Sequence, residues 1–207
     1  MSEAANVDLR VWRKAQRARL LDARRTMPAE ERRRASAIVM RELLLRLPPG
    51  AHALTGCYWP FQREFNCVPY MREVLKKGGR VALPVVIARG RPLEFRCWDD
   101  STTMESGVWS IPHPASGPSV FPSALVIPLV GFDDAGYRLG YGAGYYDITV
   151  ASFAARPLLV GVGFEFSRIP TISPQPHDEP MDVVITEACV RDRCRDSPDR
   201  RENSPIA

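Results

Sequence analysis

Apolar residues near the start of the chain recur at the spacing of an α-helix. Residues 8–25 place leucine and tryptophan among many arginines, which predicts an amphipathic helix. Thr26 is expected to cap a second helix that has Pro28 in its first turn. The buried face of this second helix is predicted from apolar residues at every fourth position, namely Ala35, Val39, Leu43 and Leu47. The chain is therefore expected to begin with a pair of helices.

From residue 53 onward, short apolar runs alternate with helical stretches. Strands are predicted over residues 53–59, 80–86, 93–98, 124–130, 158–164 and 182–186, and helices over 66–77 and 145–155. Strand, helix and strand at this spacing favour parallel pairing with a right-handed crossover. The pattern predicts a single α/β domain over residues 1–190. Residues 191–207 are rich in Arg, Asp, Ser and Pro, which predicts a disordered polar tail.

The most informative stretch, residues 125–147, joins an apolar strand to alternating glycines and the start of a helix. Gly140, Gly142 and Gly144 allow the backbone to adopt positive φ and to approach a ligand closely. Unpaired N–H groups at a helix start favour a phosphate, and Arg138 adds a planar fork of donors. A tight loop without a ligand fits the glycines equally well. The stretch matches neither the dinucleotide fingerprint nor a Walker A loop.

Two aspartates are candidate metal ligands. Asp147 lies just inside the helix that follows the glycines, where a carboxylate can hold Mg²⁺ against phosphate. An acid at this position is also explained by the helix dipole alone. Asp178 is the second candidate, and it also fits a polar turn. His177 has the best context of the histidines for a general base, but a structural role is the preferred interpretation.

Composition narrows the class of protein. The 207 residues are enough for one domain with a real core, and a net charge of +4 is too small for a dedicated nucleic-acid binder. The five cysteines form no CxxC pair, so neither zinc nor a disulfide framework is indicated. No signal peptide and no membrane span are predicted. We therefore expect a cytoplasmic protein with no nucleic-acid or membrane partner, and we also expect it to be a monomer.

The string from Gly131 to Asp147, GFDDAGYRLGYGAGYYD, resembles the signature of the 5-formyltetrahydrofolate cyclo-ligase family, also called 5,10-methenyltetrahydrofolate synthetase. The resemblance spans roughly residues 10–190 and includes, in the family's order, residues 13–17, 58–64, 83–84, 111–112 and 176–187. It implies a three-layer α/β/α fold with a mostly parallel sheet, of the kind shared with glucosamine-phosphate isomerase and ribose-phosphate isomerase.

The resemblance also implies an activity. The family converts 5-formyltetrahydrofolate to 5,10-methenyltetrahydrofolate while ATP becomes ADP and phosphate. Phosphorylation of the formyl oxygen would make it a good leaving group, so that N10 of the folate can attack the formyl carbon. The expected partners are therefore a reduced folate, ATP as co-substrate and Mg²⁺.

The family's functional residues can be carried onto matching positions of this chain. Catalytic roles fall on Arg138 and Tyr145, and metal binding falls on Asp147 and Asp178. ATP contacts fall on Arg13, Lys14, Arg17, Arg138, Leu139, Gly140, Tyr141, Gly142, Ala143, Gly144, Tyr145 and Tyr146. Folate contacts fall on Trp59, Glu64, Tyr141, Gly142, Gly144 and Tyr145. Ser167 stands where the family usually has glutamine, which puts one supporting contact in doubt.

Two other functions are compatible with the sequence. One is a different ATP-dependent phosphotransferase that shares the loop but does not use folate. The other is a non-catalytic relative that binds folate, nucleotide or RNA, with the arginine-rich ends contacting RNA. The intact glycine loop, Arg138 and both aspartates favour the enzyme.

Overall fold

The computed structural model describes residues 3–193, with side chains from residue 8 onward. Its α-helices are α1 (Glu3–Thr26), α2 (Ala29–Arg46), α3 (Val68–Lys76) and α4 (Tyr145–Ser152). Its strands are β1 (Leu54–Gly56), β2 (Arg80–Val85), β3 (Glu94–Trp98), β4 (Met104–Ser106), β5 (Pro112–Pro114), β6 (Ala124–Pro128), β7 (Gly131–Phe132), β8 (Arg138–Leu139), β9 (Leu158–Val162), β10 (Val183–Ile185) and β11 (Val190–Asp192). No helix within this described range is long and apolar enough to cross a bilayer.

The main sheet of the described chain has seven strands in the order β11-β10-β9-β6-β1-β2-β3. The strands from β10 to β2 in this order pair in parallel, whereas β3 and β11 pair antiparallel at the two edges. The first strand of the sheet is β1; β2 pairs on one side of it, and β6, which comes later in the chain, pairs on its other side. The strand order therefore reverses between β1 and β6. In α/β sheets, ligands bind at the carboxyl ends of the strands beside such a point.

Helices cover both faces of this sheet. On one face, Val39 and Leu43 of α2 and Val74 of α3 belong to the same buried cluster as alternate strand residues such as Val81 and Val126. On the other face, the buried cluster contains Val150 of α4 together with strand residues that point the opposite way, including Ala82, Leu125 and Ile127. The predicted three-layer α/β/α fold is confirmed.

Helix α1 lies outside these layers and covers the ends of the central strands. Leu20 is fully buried in a third cluster with Val130, Leu139, Ile169 and Ile172. Arg63 fixes the end of the helix by donating from Nη1 to the carbonyl oxygen of Arg25 at 2.6 Å and from Nη2 to that of Met27 at 2.8 Å. The predicted helical pair therefore divides, because α2 joins a layer and α1 covers the loops beside the cleft.

The structure corrects the predicted junction between α1 and α2. Thr26 is the last residue of α1, and its hydroxyl donates back to the carbonyl oxygens of Asp22 and Ala23. Pro28 occupies the N-cap position of α2, which has no side-chain cap. The prediction that Thr26 caps α2 was therefore wrong. A threonine hydroxyl can satisfy either end of a helix break, and here it bonds to the preceding turn.

Several short β elements were not predicted, including the pairing of β7 with β8. Strands β4 and β5 form a small hairpin in a region that was expected to be loop. Strand β11 pairs with β10, so Arg191 and Asp192 belong to the sheet and not to the tail. The sheet therefore extends into the predicted tail, and the part of that tail after residue 193 lies outside the described residues.

A pair of leucine substitutions in α2 tests the assignment of its faces. Leu43 is fully buried, whereas Leu45 has 65% of its surface exposed. We predict that Leu43→Ala lowers the free energy of unfolding by about 2–5 kcal/mol, because it leaves a cavity. Leu45→Ala is the control and should change it by less than about 0.5 kcal/mol. Chemical denaturation measures both, and equal effects would contradict the assignment.

Candidate active site

A large cleft lies at the carboxyl ends of β1, β2 and β6. Its empty space, including the open mouth, is about 1310 Å³. Its walls come from α1, from the segment after β1, from the loop 108–113 and from the segment 138–147. The segments that follow β1 and β6 therefore meet in one cleft.

The glycine segment forms one wall and leads into α4. Gly142 has φ +102° and Gly144 has φ +68°, values that a side chain would strain. A Cβ atom on Gly142 would lie 3.2 Å from Cζ of Arg17. Arg17 donates from Nε to the carbonyl oxygen of Gly140 at 2.8 Å. Gly144 is the N-cap of α4 and forms no side-chain cap, so the first N–H groups of α4 are available to an anion.

Arg138 and Asp147 face each other across the root of this loop. The two Nη atoms of Arg138 donate to the two carboxylate oxygens of Asp147 at 3.0 and 2.9 Å. The backbone N–H of Glu179 donates to Asp147 Oδ1 at 3.0 Å, and the guanidinium lies 5.6 Å from the ring centre of Tyr146. The guanidinium of Arg138, which was expected to bind phosphate, thus binds Asp147. A direct contact between Arg138 and phosphate stays a prediction.

Asp178 is held by a second arginine. Arg13 donates from Nη2 to Asp178 Oδ2 at 2.6 Å and to the backbone carbonyl oxygen of Ser173, and from Nε to that of Ile172. Gln175 N–H donates to the same carboxylate oxygen at 2.7 Å. Burial alone would raise the pKa of Asp178, but the hydrogen bonds from Arg13 and Gln175 outweigh it and the pKa lies below its usual value. The carboxylate is therefore charged at neutral pH.

These two aspartates can be tested against the requirements of Mg²⁺. The described residues contain no cluster of three or more acidic, histidine or cysteine side chains that could hold a metal. Mg²⁺ needs only one or two carboxylates when phosphate and water supply the other ligands. Asp147 Oδ2 accepts one hydrogen bond and Asp178 Oδ1 is not used by Arg13 or Gln175, so each aspartate has a free lone pair. In the chemistry of their free oxygens, the residues fit a site that phosphate and water would complete.

A buried polar cluster lies deeper in the cleft. Glu64 is 6% exposed and accepts hydrogen bonds from Tyr141 Oη and from Phe61 N–H, both at 2.9 Å. Arg24 places Nη1 3.8 Å from Glu64 Oε1 and donates to Tyr141 Oη at 3.3 Å. Burial raises the pKa of Glu64 to about 7, although the Phe61 N–H, Arg24 and Tyr141 each lower it. Glu64 therefore titrates near neutrality.

Aromatic rings line the cleft beside this cluster. Trp109 stacks on Phe61 with ring centres 6.5 Å apart, and Tyr141 lies 5.9 Å from each of them. Trp109 is 51% exposed and has φ +56°. Trp59 packs edge-on against Trp98 at 6.1 Å. Flat apolar surfaces next to a hydrogen-bonding acid suit a planar heterocycle.

The structure brings together nearly all the residues predicted from the sequence. Among the described residues that were predicted to bind a ligand or metal, Lys14 is the one that is exposed and does not line the cleft. Ser167 is buried away from the cleft and donates to the carbonyl oxygen of Phe164 at 2.7 Å. His177 lines the cleft with 76% of its side chain exposed, and its structural role stays a prediction.

Sequence reasoning missed Arg24 and Trp109. Arg24 was expected to be one of many arginines on a solvated helix face, yet it is only 2% exposed. A signal was present, because Arg13, Arg17, Leu20 and Arg24 have the spacing of a single helix face. Trp109 lies in a stretch rich in proline and glycine, where the sequence offers no periodicity to place a side chain.

Comparison with known proteins identifies a family. The profile of the 5-formyltetrahydrofolate cyclo-ligase family matches residues 9–187. A 5-formyltetrahydrofolate cyclo-ligase from Mycolicibacterium smegmatis is 30% identical over 179 residues, which cover 82% of this chain and 91% of that protein. A mouse protein of the same name is 24% identical and covers 83% of this chain and 91% of its own length.

The fold agrees with these matches. The NMR structure of Aquifex aeolicus 5,10-methenyltetrahydrofolate synthetase superimposes with a TM-score of 0.76 at 29% identity, covering 94% of this chain and 96% of that chain. The matched region contains the whole cleft, from Arg13 on α1 to Asp178. The chain therefore belongs to the 5-formyltetrahydrofolate cyclo-ligase family.

Proposed function

We propose that this protein converts 5-formyltetrahydrofolate to 5,10-methenyltetrahydrofolate with ATP as co-substrate, and that the cleft described above is its active site. The observation that carries the proposal is the meeting of two different binding surfaces in one cleft. The glycine segment and the start of α4 suit phosphate, whereas Glu64 and its aromatic neighbours suit a planar heterocycle. We further propose a cytoplasmic monomer, as expected from the sequence.

The nucleotide phosphates bind along the segment from Arg138 to Tyr146. Backbone N–H groups at the start of α4 meet the phosphate oxygens, and the helix dipole adds to their attraction. Arg17 lines this part of the cleft and keeps donors beyond the Nε that bonds to Gly140. Arg13 contributes its charge while it orients Asp178. Lys14 would have to reach the nucleotide from the exposed side of α1.

Asp147 and Asp178 would hold Mg²⁺ together with phosphate oxygens and water. The ion would neutralise charge that builds up on the transferred phosphoryl group. Arg138 acts on this site through Asp147, because its two hydrogen bonds fix both carboxylate oxygens. An arginine is required for this task, since a lysine offers a single point of charge and no fork.

The pterin end of the folate binds against Glu64. An ionised carboxylate can accept hydrogen bonds from ring N–H groups, and Trp59, Phe61 and Trp109 can cover the flat faces of the rings. Tyr145 begins α4 and lines the cleft, where its ring can contact bound substrates. This position suits the catalytic role that the sequence predicted for it.

The reaction then needs positioning more than acid–base catalysis. The formyl oxygen attacks the γ-phosphorus of ATP, and the bond from that phosphorus to its bridging oxygen breaks to release ADP. N10 next attacks the formyl carbon and gives its proton to solvent, while the carbon–oxygen bond breaks and inorganic phosphate leaves. The protein holds the formyl oxygen and the phosphorus in line and keeps water away from the activated intermediate.

The activity is tested by following the absorbance of the methenyl product. We expect product from 5-formyltetrahydrofolate when ATP and Mg²⁺ are present, and none when ATP is left out. One phosphate should appear for each methenyl group formed. ATP hydrolysis that proceeds equally well without folate, and without methenyl product, would contradict the proposal and favour a different phosphotransferase.

The metal site is tested by Asp147→Asn. The substitution keeps the shape of the side chain and an acceptor for Arg138, but it removes the negative charge. We predict that kcat falls roughly 100-fold or more, because the phosphoryl group is no longer held in line. The Mg²⁺ concentration needed for half-maximal turnover should rise as well.

Asp134→Asn is the matched control for this experiment. Asp134 also pairs with arginines, Arg168 and Arg191, but its side chain is 57% exposed and does not line the cleft. Its substitution should leave turnover and the Mg²⁺ requirement unchanged. Wild-type turnover by Asp147→Asn at ordinary Mg²⁺ would remove Asp147 from the metal site.

A further inference from the structure

Arg24 is a buried charge that the mechanism above does not use. It lies in the last turns of α1, it is 2% exposed, and its side chain does not line the cleft. One Nη donates to Tyr141 Oη at 3.3 Å and lies 3.8 Å from Glu64 Oε1. The other Nη donates to the backbone carbonyl oxygen of Leu129, just after β6. A single guanidinium thus joins four segments of the chain.

These contacts surround the end of the cleft that suits a heterocycle. Glu64 follows β1, Tyr141 belongs to the glycine segment and Leu129 follows β6, and α1 supplies the arginine. Tyr141 links Arg24 to Glu64, because its hydroxyl accepts a hydrogen bond from Arg24 and donates one to Glu64. We propose that Arg24 is a positioning residue, which holds the carboxylate of Glu64 and the hydroxyl of Tyr141 in one fixed arrangement for folate binding.

The charges around Glu64 support this role. The groups that act on it are Arg24 from α1, Tyr58 from the segment after β1, and Tyr141 and Tyr146 from the glycine segment and α4. Burial raises the pKa of each of these tyrosines above its usual value, so they stay neutral. Among these described neighbours, Arg24 therefore supplies the positive charge that opposes the effect of burial on Glu64.

The shape of the guanidinium explains why an arginine is present. Its planar fork can meet a carboxylate, a hydroxyl and a carbonyl oxygen at once, whereas the ammonium group of lysine is a compact point charge. Arg24→Lys should therefore keep the positive charge but lose some of the contacts with Glu64, Tyr141 and Leu129. Arg24→Met should lose both, while keeping an apolar stem of similar length.

The pKa of Glu64 in the ligand-free protein is the first measurement. ¹³C NMR of labelled glutamate carboxyl groups follows the titration, and the resonance missing from Glu64→Gln assigns Glu64. We expect a pKa of about 7 in the wild type. Arg24→Met should raise it by about one unit or more, which lowers the ionised fraction of Glu64 at pH 7 about fivefold or more. Arg24→Lys should raise it by less.

Arg25→Met is the matched control. Arg25 is the next residue of α1, and its side chain is 74% exposed and pairs with Asp22. This substitution should leave the pKa of Glu64 unchanged. An unchanged pKa in Arg24→Met would overturn the proposal. If Arg24→Met does not fold, the test rests on Arg24→Lys alone. A raised pKa of Glu64 in that variant supports the proposal, and a wild-type pKa of Glu64 overturns it.

The second measurement is the affinity for 5-formyltetrahydrofolate as a function of pH, without ATP. This arm rests on the proposed function, in which folate binds the ionised form of Glu64. Affinity should increase as pH rises through the pKa of Glu64, because the carboxylate becomes charged. In Arg24→Met this increase in affinity should move to higher pH, with about fivefold weaker binding at pH 7 and recovery at higher pH.

The two arms separate the inference from the proposed function. A raised pKa together with unchanged folate affinity supports Arg24 as the positioning residue for Glu64 and refutes the contact of Glu64 with folate. An unchanged pKa refutes the inference and leaves the proposed reaction intact.

Discussion

The reversal of strand order between β1 and β6 is the constraint on which the rest of the structure depends. Parallel strands on either side of it send their following segments apart, and a gap opens at their carboxyl ends. The gap becomes a cleft because the segments after β1 and β6 form its walls. Helix α1 then covers one side through Leu20, which packs on the segment after β6. The site is therefore a consequence of strand order and of the placement of a single helix.

Charge pairing is the second organising feature. Three carboxylates of the cleft, Asp147, Asp178 and Glu64, each lie within 4 Å of an arginine nitrogen. Two of those arginines come from α1, so the helix contributes to electrostatics as well as to packing. A buried carboxylate without such a partner would be costly to ionise. The pairing prepares charged groups before substrate arrives, which reduces the reorganisation needed during the reaction.

The sequence predicted the parts of the site that are contiguous. The strand, the glycines and Asp147 lie within one short segment, so their local geometry follows from residue types and spacing. Asp178 and Arg13 meet across 165 residues, and only the resemblance to a family placed them in one site. Arg24 was missed because an arginine on a helix is usually solvated, and its burial depends on what packs over it. Strand β11 was missed because a short edge strand carries almost no pattern.

The central claim is that ATP activates the formyl group directly, with the phosphate surface and the folate surface of one cleft holding the two reactants. The most direct test supplies 5-formyltetrahydrofolate labelled with ¹⁸O in the formyl group, together with ATP and Mg²⁺. If the formyl oxygen is phosphorylated before N10 displaces it, the label will be found in inorganic phosphate by mass spectrometry. Normal formation of the methenyl product with the label only in water would contradict the account, because the glycine segment would then bind a nucleotide without transferring its phosphoryl group.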